Sequence, residues 1–256
     1  MKIIVCIKQV PDTTEVKLDP KTGRLIRDGV PSIINPDEEA LHIKDENPDT
    51  TVTVVSMGPP QADVAMREAL AMGADEAILI SGREFGGSDT WATSYIIATA
   101  IKKIPDYDII FCGRQAIDGD TAQVGPQIAE QLNIPQITYV QKLDIEGDKV
   151  IVQRQLEDGY TVVEAKMPVL LTAIKELNTP RYMTPKGIFE AYNKTVQVWG
   201  FNDVPVDAEK IGLKGSPTNV NRTFSPEAKG KGIMLEGADK ETVKTLIAKL
   251  DEKHLL

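Results

Sequence analysis

Residues 109–126 read IIFCGRQAIDGDTAQVGP, an apolar run followed by a polar loop with glycines and then a proline. The apolar run predicts a strand from Asp108 to Gly113. Pro126 predicts the first turn of a helix that reaches Leu132, because proline is favoured at that position. Open parallel sheets bind nucleotides where a strand ends and the next helix begins. The segment therefore predicts a nucleotide-binding α/β fold.

Upstream of this segment, short β-rich runs alternate with amphipathic helical runs, which predicts crossover units and a parallel sheet. The expected strands are Lys2–Val10, Thr51–Met57 and Glu76–Ser81. The expected helices are Asp37–Glu46, Gln61–Met72 and Asp89–Ile104. The predicted fold class is thus α/β, an open, mostly parallel, doubly wound sheet of the flavodoxin- or Rossmann-like kind.

After Ile134 the chain changes to β-rich segments with a turn at Glu157-Asp158-Gly159, which predicts an antiparallel extension of the parallel sheet. The segments are Gln136–Val140, Lys149–Gln155 and Tyr160–Thr172.

The C-terminal part of the chain is expected to form an arm. We assign residues 1–194 to the α/β domain and 195–256 to the arm, because residues 195–237 are rich in proline, glycine, asparagine and charge and cannot bury enough to order alone. Asp239 then begins an amphipathic helix. That helix is expected to pack on another subunit, with packing on its own domain as the alternative.

Charge and composition argue against several classes of function. Twenty-nine basic against 38 acidic residues give a net charge of −9, which disfavours nucleic acid as a partner. No apolar stretch has the roughly 18 residues of a membrane span, so no membrane insertion is expected and the cytoplasm is the expected location. Cys6 and Cys112 lie in apolar runs, and His42 and His254 fit no metal or triad pattern, so we expect neither a metal site nor catalytic residues.

The loop that ends the opening segment has the features of a phosphate cradle. Gly119 and Gly125 allow tight turns and close approach of the backbone, and the first amides of a helix are unpaired. Thr121 and Gln123 add side-chain donors. Neither a P-loop ending nor a G-x-G-x-x-G after the first strand is present. Nucleotide binding without hydrolysis is therefore predicted, and a solvated turn is the alternative.

The other predicted strand ends carry similar signals, at Asn35-Pro36-Asp37, Met57-Gly58-Pro59-Pro60 and Gly86-Gly87-Ser88-Asp89-Thr90. These loops are expected to converge on one crevice. Thr90 and Thr93 share a helix face at a helix start, where both hydroxyls could reach a second phosphate. An ordinary N-cap followed by a surface threonine is the alternative.

With these residues identified, the chain resembles the beta subunit of electron transfer flavoproteins over nearly its whole length. The resemblance is carried by Cys6-Ile7-Lys8-Gln9-Val10-Pro11-Asp12, Asn35-Pro36, the Gly113–Gly125 loop, Val152-Gln153-Arg154, Leu177-Asn178-Thr179-Pro180-Arg181-Tyr182 and Gly215-Ser216-Pro217-Thr218. It implies an adenine-nucleotide-binding domain that pairs with a larger alpha subunit, with the C-terminal arm wrapped around that partner.

By position, the resemblance implies that Cys6, Asn35 and Met57 line an adenosine pocket and that Arg154 lies near the alpha-subunit flavin. The cofactor-binding residues that it implies in the loop are Asp118, Gly119, Asp120, Thr121, Ala122, Gln123, Val124 and Gly125, of which Gly119, Ala122, Gln123 and Val124 match the family's phosphate contacts. Two features depart from the family. The segment after Pro36 is shorter, and Met183 stands in the loop that can present a leucine to dehydrogenases.

Two branches of the family differ in what this subunit holds. In one branch it holds AMP, with one flavin per heterodimer; in the other it holds a second FAD, which splits the electron pair of NADH. The loop and Asp89-Thr90-x-x-Thr93-Ser94 resemble the second branch, in which the threonines help to hold the extra phosphate. A diphosphate also needs more donors than a monophosphate.

The resemblance to the second branch implies electron bifurcation. One electron would pass through the alpha-subunit FAD to an acyl-CoA dehydrogenase or a related partner, and the other would pass to ferredoxin or flavodoxin. An AMP-containing electron carrier is the first alternative. An ATP-binding stress-type module without flavin is the second.

Overall fold

The computed structural model describes residues 1–11, 32–34, 39–221, 230 and 232–256. The described residues form two compact units, Met1–Asn221 and Arg222–Leu256. The strands are β1 (Lys2–Cys6), β2 (Gln9–Pro11), β3 (Ser32–Ile34), β4 (Thr51–Met57), β5 (Glu76–Ile80), β6 (Ile109–Gly113), β7 (Gln136–Glu146), β8 (Lys149–Gln155), β9 (Tyr160–Lys166), β10 (Val169–Ala173) and β11 (Val196–Trp199). The helices are α1 (Glu39–Glu46), α2 (Asp63–Met72), α3 (Thr90–Ile101), α4 (Val124–Leu132), α5 (Pro185–Asn193) and α6 (Lys240–Asp251).

A nine-stranded sheet organises the first unit, in the order β11-β5-β4-β1-β6-β10-β7-β8-β9. Every pairing from β11 to β7 is parallel, and the last two pairings, β7 with β8 and β8 with β9, are antiparallel. The predicted class, an open and mostly parallel α/β sheet with an antiparallel extension, is confirmed. The turn predicted at Glu157-Asp158-Gly159 joins β8 to β9, and Leu156 N–H donates to the Gly159 carbonyl across it at 2.8 Å.

Two hydrophobic cores, one on each face, hold the sheet between helices. Successive side chains of a strand point to opposite faces, so Ile3 and Val5 of β1 enter the core that contains Met66 of α2, whereas Ile4 enters the core that contains Ile96 of α3. All five side chains are at most 3% exposed. Strands buried on both faces are expected to read as continuous apolar runs, which explains why the parallel strands were visible in the sequence.

Several predicted elements have different limits in the structure. The run expected as one strand from Tyr160 to Thr172 is two strands, because Pro168, which has no amide hydrogen, separates β9 from β10. β10 then lies in the middle of the sheet, parallel to β6 and β7, so its assignment to the antiparallel extension is wrong. The run Lys2–Val10 divides into β1 and part of β2, and the expected start of the first helix at Asp37 lies outside the described residues.

The structure places part of the 195–256 segment on the sheet. β11 pairs in parallel with β5, and Val204 and Ile211 are buried in the core on the α3 side. The second unit contains α6, whose apolar residues Val243, Leu246 and Ile247 are each about half exposed. That this helix face packs on another subunit remains a prediction.

Two further properties concern the described residues alone. None of the helices in these ranges has the length and apolar content needed to cross a membrane. Within the same ranges, the histidine, cysteine, aspartate and glutamate side chains do not come together in groups of three that could hold a metal ion.

Candidate nucleotide-binding site

A cavity of about 1010 Å³ opens beyond the carboxyl ends of β1, β4, β5 and β6. These strands are neighbours in the order β5-β4-β1-β6, so the loops that follow them meet at one edge of the sheet. This edge is where open α/β sheets bind ligands. The volume lies at the upper end of the roughly 300–1,000 Å³ typical of small-molecule sites.

Most of the residues predicted to contact a cofactor line this cavity. They are Cys6, Met57, Thr90, Thr93, Gly119, Asp120, Thr121, Ala122, Gln123, Val124 and Gly125. Asp118 contacts a lining residue instead, and Asn35 lies outside the described residues. Arg154 does not line the cavity. It lies on β8, paired with Val140 of β7 and Thr161 of β9, and its position near a flavin of another subunit stays a prediction.

The amino end of α4 offers free main-chain donors to the cavity. Its N-cap residue, Gln123, makes no side-chain capping bond, so the first amides of the helix lack a side-chain cap. Ala122 has a φ of 53°, whereas Gln123 has a φ of −104° and a ψ of −32°. Successive residues of opposite hand turn their N–H groups toward one side and form a concave anion site, often called a nest. The amides of residues 122–124 therefore suit a phosphate.

Backbone strain in this loop also indicates a functional site. Asp120 and Ala122 both have positive φ, at 50° and 53°. Residues with a Cβ pay a steric cost in this conformation, and such outliers concentrate at functional sites. The loop thus keeps an unfavourable backbone shape at the position where it lines the cavity.

The two glycines of the loop have different roles. A Cβ on Gly125 would lie 2.9 Å from the Thr172 methyl carbon and 3.3 Å from the Cys112 Cβ. Gly125 therefore lets α4 pack directly on β6 and β10. A Cβ on Gly119 would meet nothing within 4 Å, so this glycine is not required by packing.

The amino end of α3 carries its own cap. The Asp89 carboxylate accepts a 3.0 Å hydrogen bond from the Ala92 amide. Burial would raise the pKa of Asp89, but hydrogen bonds from Ala92 and Thr218 outweigh it, so the pKa lies below its ordinary value of 3.8. Thr90 and Thr93, in the first turn after this cap, both line the cavity.

An ion pair fixes the loop to the end of β1. The Lys8 ammonium lies 2.7 Å and 2.9 Å from the two carboxylate oxygens of Asp118, whose side chain is only 6% exposed. Lys8 also lines the cavity, so Asp118 acts on the site through this lysine. Asp118 is thus a support of the loop instead of a wall residue.

The two cysteines lie side by side where the cavity meets the sheet. Cys6 of β1 and Cys112 of β6 are register partners on adjacent parallel strands, and both line the cavity. Neither forms a disulfide. Cys112 is buried, as its apolar context predicts, whereas Cys6 is half-buried.

Sequence reasoning missed the basic residues of the cavity wall. Lys8, Arg83 and Arg114 all line the cavity. The Arg114 guanidinium also stands 5.9 Å from the ring centre of Tyr139. Arg83 and Arg114 stand within three residues of the ends of β5 and β6, and Lys8 stands two residues after β1. Their location directly after predicted strands was therefore the sequence signal that could have identified these basic residues.

A doubly wound sheet with two helix amino ends and three cations around one cavity at its carboxyl edge defines an α/β protein with a candidate ligand site where such sheets bind nucleotides. The family model described as the electron transfer flavoprotein domain matches residues 23–204. The chain belongs to the electron transfer flavoprotein family, and the resemblance to beta subunits inferred from the motifs is confirmed.

Three relatives illustrate the similarity. The chain is 60% identical to the electron transfer flavoprotein subunit beta of Thermoanaerobacterium thermosaccharolyticum and 57% identical to the caffeyl-CoA reductase-Etf complex subunit CarD of Acetobacterium woodii. It is 52% identical to the acryloyl-CoA reductase electron transfer subunit gamma of Anaerotignum propionicum. Each comparison covers 100% of both chains. An ATP-binding stress-type module, the second alternative from the sequence, would belong to a different family.

Proposed function

We propose that this chain holds FAD in its cavity and, paired with a larger alpha subunit, carries out flavin-based electron bifurcation. When bound, the FAD supplies the redox chemistry. That chemistry would divide the electron pair of NADH between two routes, one through the alpha-subunit FAD to an acyl-CoA dehydrogenase-type partner and the other to ferredoxin or flavodoxin. The part of this chain is to bind and orient the cofactor.

The observation that carries the proposal is the meeting of two helix amino ends across one large cavity. The Thr90 hydroxyl of α3 donates a 2.9 Å hydrogen bond to the Gln123 side-chain oxygen at the start of α4. The two starts are therefore close enough to bind neighbouring phosphates of one ligand. The start of α4 favours negative charge through its uncapped amides, and both starts favour it through the helix dipole. A diphosphate uses both starts, whereas a monophosphate needs only one.

The chemistry of the wall fits a dinucleotide. The amides of residues 122–124 would hold one phosphate. The Thr93 hydroxyl and the side-chain nitrogen of Gln123, which the Thr90 hydroxyl orients, would donate to the second. Lys8, Arg83 and Arg114 outnumber the two carboxylates of the wall, Asp89 and Asp120, although Lys8 is paired with Asp118. Cys6 and Met57, at the ends of β1 and β4, would form the apolar wall against the adenosine.

The names of the relatives support the choice of acceptor. One is named as a subunit of a caffeyl-CoA reductase-Etf complex, and another as an electron transfer subunit of acryloyl-CoA reductase. A partner that acts on a CoA thioester would be consistent with these names, and an acyl-CoA dehydrogenase-type protein belongs to that chemical class.

The cofactor content of the purified pair tests the proposal. This chain is co-produced with its alpha subunit, the protein is denatured, and the released nucleotides are quantified by chromatography. We expect two FAD and no AMP per heterodimer. One FAD and one AMP would contradict the proposal and select the simple electron carrier.

A variant and a matched control connect the result to the site. Thr90→Val with Thr93→Val removes both hydroxyls while keeping the side-chain shape, and we expect a loss of FAD from this subunit. Thr161→Val makes the same change on the exposed strand β9, outside the cavity, and should retain two FAD. Reduction of ferredoxin by NADH in the presence of the dehydrogenase and its CoA substrate then reports bifurcation directly.

A further inference from the structure

The segment 211–218, here called the strap, is bound to the start of α3. The Ser216 hydroxyl accepts a 2.9 Å hydrogen bond from the Asp89 amide and donates a 2.7 Å bond to the Gly212 carbonyl. Thr218 donates to the second carboxylate oxygen of Asp89 twice, from its amide at 2.9 Å and from its hydroxyl at 2.7 Å. Two hydroxyl side chains of the strap thus contact one N-cap residue.

The strap also packs closely on the loop before α3. The Gly212 amide donates a 3.0 Å hydrogen bond to the Ser88 hydroxyl, and Ile211 is buried. Gly212 has a φ of 61°, and a Cβ there would lie 2.4 Å from the Glu84 carbonyl oxygen. The backbones of strap and loop therefore meet at a distance that only glycine permits.

This contact adjoins the cavity but does not belong to its wall. Ser88, Asp89 and Thr90 line the cavity, whereas Ala92 and Thr218, which donate to the Asp89 carboxylate, do not. One carboxylate oxygen is bonded to the Ala92 amide and the other to Thr218. Both oxygens are thus held by donors outside the cavity wall.

The position of Asp89 raises an electrostatic problem. A carboxylate at the start of α3 repels a diphosphate bound at that same helix start, because like charges at short range disfavour each other. Three donors fix the direction of the carboxylate oxygens and occupy them with N–H and O–H dipoles, which reduces this repulsion although the group stays ionised. They also fix the first turn of α3, and with it the direction of the Thr90 and Thr93 hydroxyls.

We propose that Ser216 and Thr218 are positioning residues for the FAD diphosphate. Thr218 holds the Asp89 carboxylate and Ser216 holds the Asp89 amide, and together they keep the first turn of α3 presented to the cavity. This inference rests on the proposed FAD site. It adds that the affinity for a dinucleotide depends on a segment more than one hundred residues away along the chain, since Asp89 and Thr218 are 129 positions apart.

The test compares FAD with AMP on the co-produced heterodimer. Its bound nucleotides are removed, and the Kd of each nucleotide for the cavity is measured with Ser216→Ala/Thr218→Val. Loss of the two side-chain hydrogen bonds to Asp89 should raise the Kd for FAD about tenfold or more, since a net contribution near 1.4 kcal/mol corresponds to a factor of ten. The Kd for AMP should change little, because a monophosphate can bind at α4 alone.

Three further variants sharpen the comparison. Thr218→Ser keeps the hydroxyl, so its Kd for FAD should be close to that of the wild type. Thr161→Val should change neither the Kd for FAD nor the Kd for AMP. In a protein that already carries Asp89→Asn, the added change Thr218→Val should have a much smaller effect, because the carboxylate that it serves is absent. Equal weakening of FAD and AMP, or an undiminished effect beside Asp89→Asn, would overturn the proposal.

A second measurement separates this proposal from the FAD proposal. Hydrogen exchange of residues 89–93 in the nucleotide-free protein should be faster in Thr218→Val than in wild type, with Thr218→Ser close to wild type. If the wild-type protein contains AMP and no FAD in this subunit, the FAD proposal fails by itself. Unchanged exchange of these amides would contradict the positioning role. The measurement needs only the single variants, so it can be made even if the double variant does not fold.

Discussion

The hydroxyl of Thr90 donates a 2.9 Å hydrogen bond to the side-chain oxygen of Gln123, which joins the first turns of α3 and α4 across the cavity. With its oxygen engaged in this way, the Gln123 amide has its nitrogen left to donate to a ligand. The two residues therefore act as a pair, in which Thr90 orients the donor end of Gln123.

A negative charge at Gln123 should disrupt ligand binding. Gln123→Glu keeps the side-chain shape, removes the nitrogen donor and places a carboxylate beside the proposed phosphates. We expect the affinity for FAD to fall at least tenfold, or about 1.4 kcal/mol, measured by titration of the nucleotide-free heterodimer. Gln197→Glu, on the exposed strand β11, adds the same charge outside the cavity and serves as the control. Equal loss in both variants would indicate a general charge effect.

Gly125 and Gly119 should respond differently to the same substitution. Gly125→Ala places a Cβ 2.9 Å from the Thr172 methyl carbon, so we expect a loss of about 1–3 kcal/mol in unfolding free energy, as for other overpacked cores. Gly119→Ala meets open space and should be close to neutral. Urea unfolding measures both.

A second-site change checks this explanation. Thr172→Ser removes the methyl group but keeps the hydroxyl that accepts a 3.1 Å hydrogen bond from the Tyr139 amide. Gly125→Ala/Thr172→Ser should therefore recover part of the lost stability. If the double variant is as unstable as the sum of the two single variants, the close contact is not the cause.

The positive φ of Ala122 predicts different changes in stability for two substitutions. Ala122→Gly relieves a strain of about 1–2 kcal/mol but adds unfolded-state entropy of about 0.4–1 kcal/mol, so the net change in stability should be small. Ala122→Val puts a β-branched residue at a φ of 53° and should cost about 1–3 kcal/mol. Thermal unfolding separates the two. A valine variant as stable as the glycine variant would show that the loop does not keep this backbone shape.

Asp89 should make the stability of the protein depend on acid pH. Its pKa in the folded state lies below 3.8, so the carboxylate stabilises the fold above its unfolded pKa, and this stabilisation is lost as pH falls through the folded pKa. The difference in unfolding free energy between wild type and Asp89→Asn should thus be constant above about pH 5 and shrink at lower pH. Urea unfolding from pH 3 to 7 measures it. A difference that grows on acidification would contradict the sign.

A bound nucleotide should protect Cys6 from alkylation. Cys6 is half-buried and lines the cavity, whereas its register partner Cys112 is buried. We expect iodoacetamide to modify Cys6 faster in the nucleotide-free heterodimer than in the FAD-saturated one, with Cys112 slow in both. Peptide mapping by mass spectrometry distinguishes the two sites. Identical rates with and without FAD would place the ligand elsewhere.

Much of the fold was readable from local patterns. β4 and β8 have the predicted limits, and α4 ends at the predicted Leu132. Such elements are set by apolar runs and by proline and glycine positions, which act over a few residues. β10 was misassigned because the apolar sequence of a strand does not indicate which other strands it pairs with. Its place between β6 and β7 depends on the packing of the whole chain.

The sequence by itself determined the doubly wound sheet and the glycine-flanked loop at the end of β6, because strand periodicity and glycine placement are local properties. Only the tertiary structure decided that Lys8 holds Asp118, 110 positions away, that Thr90 meets Gln123, and that Thr218 binds Asp89. Such contacts arise when the order of strands in the sheet brings distant loops to one edge. Side-chain pairs of this kind are fixed by that order, which no short stretch of sequence encodes.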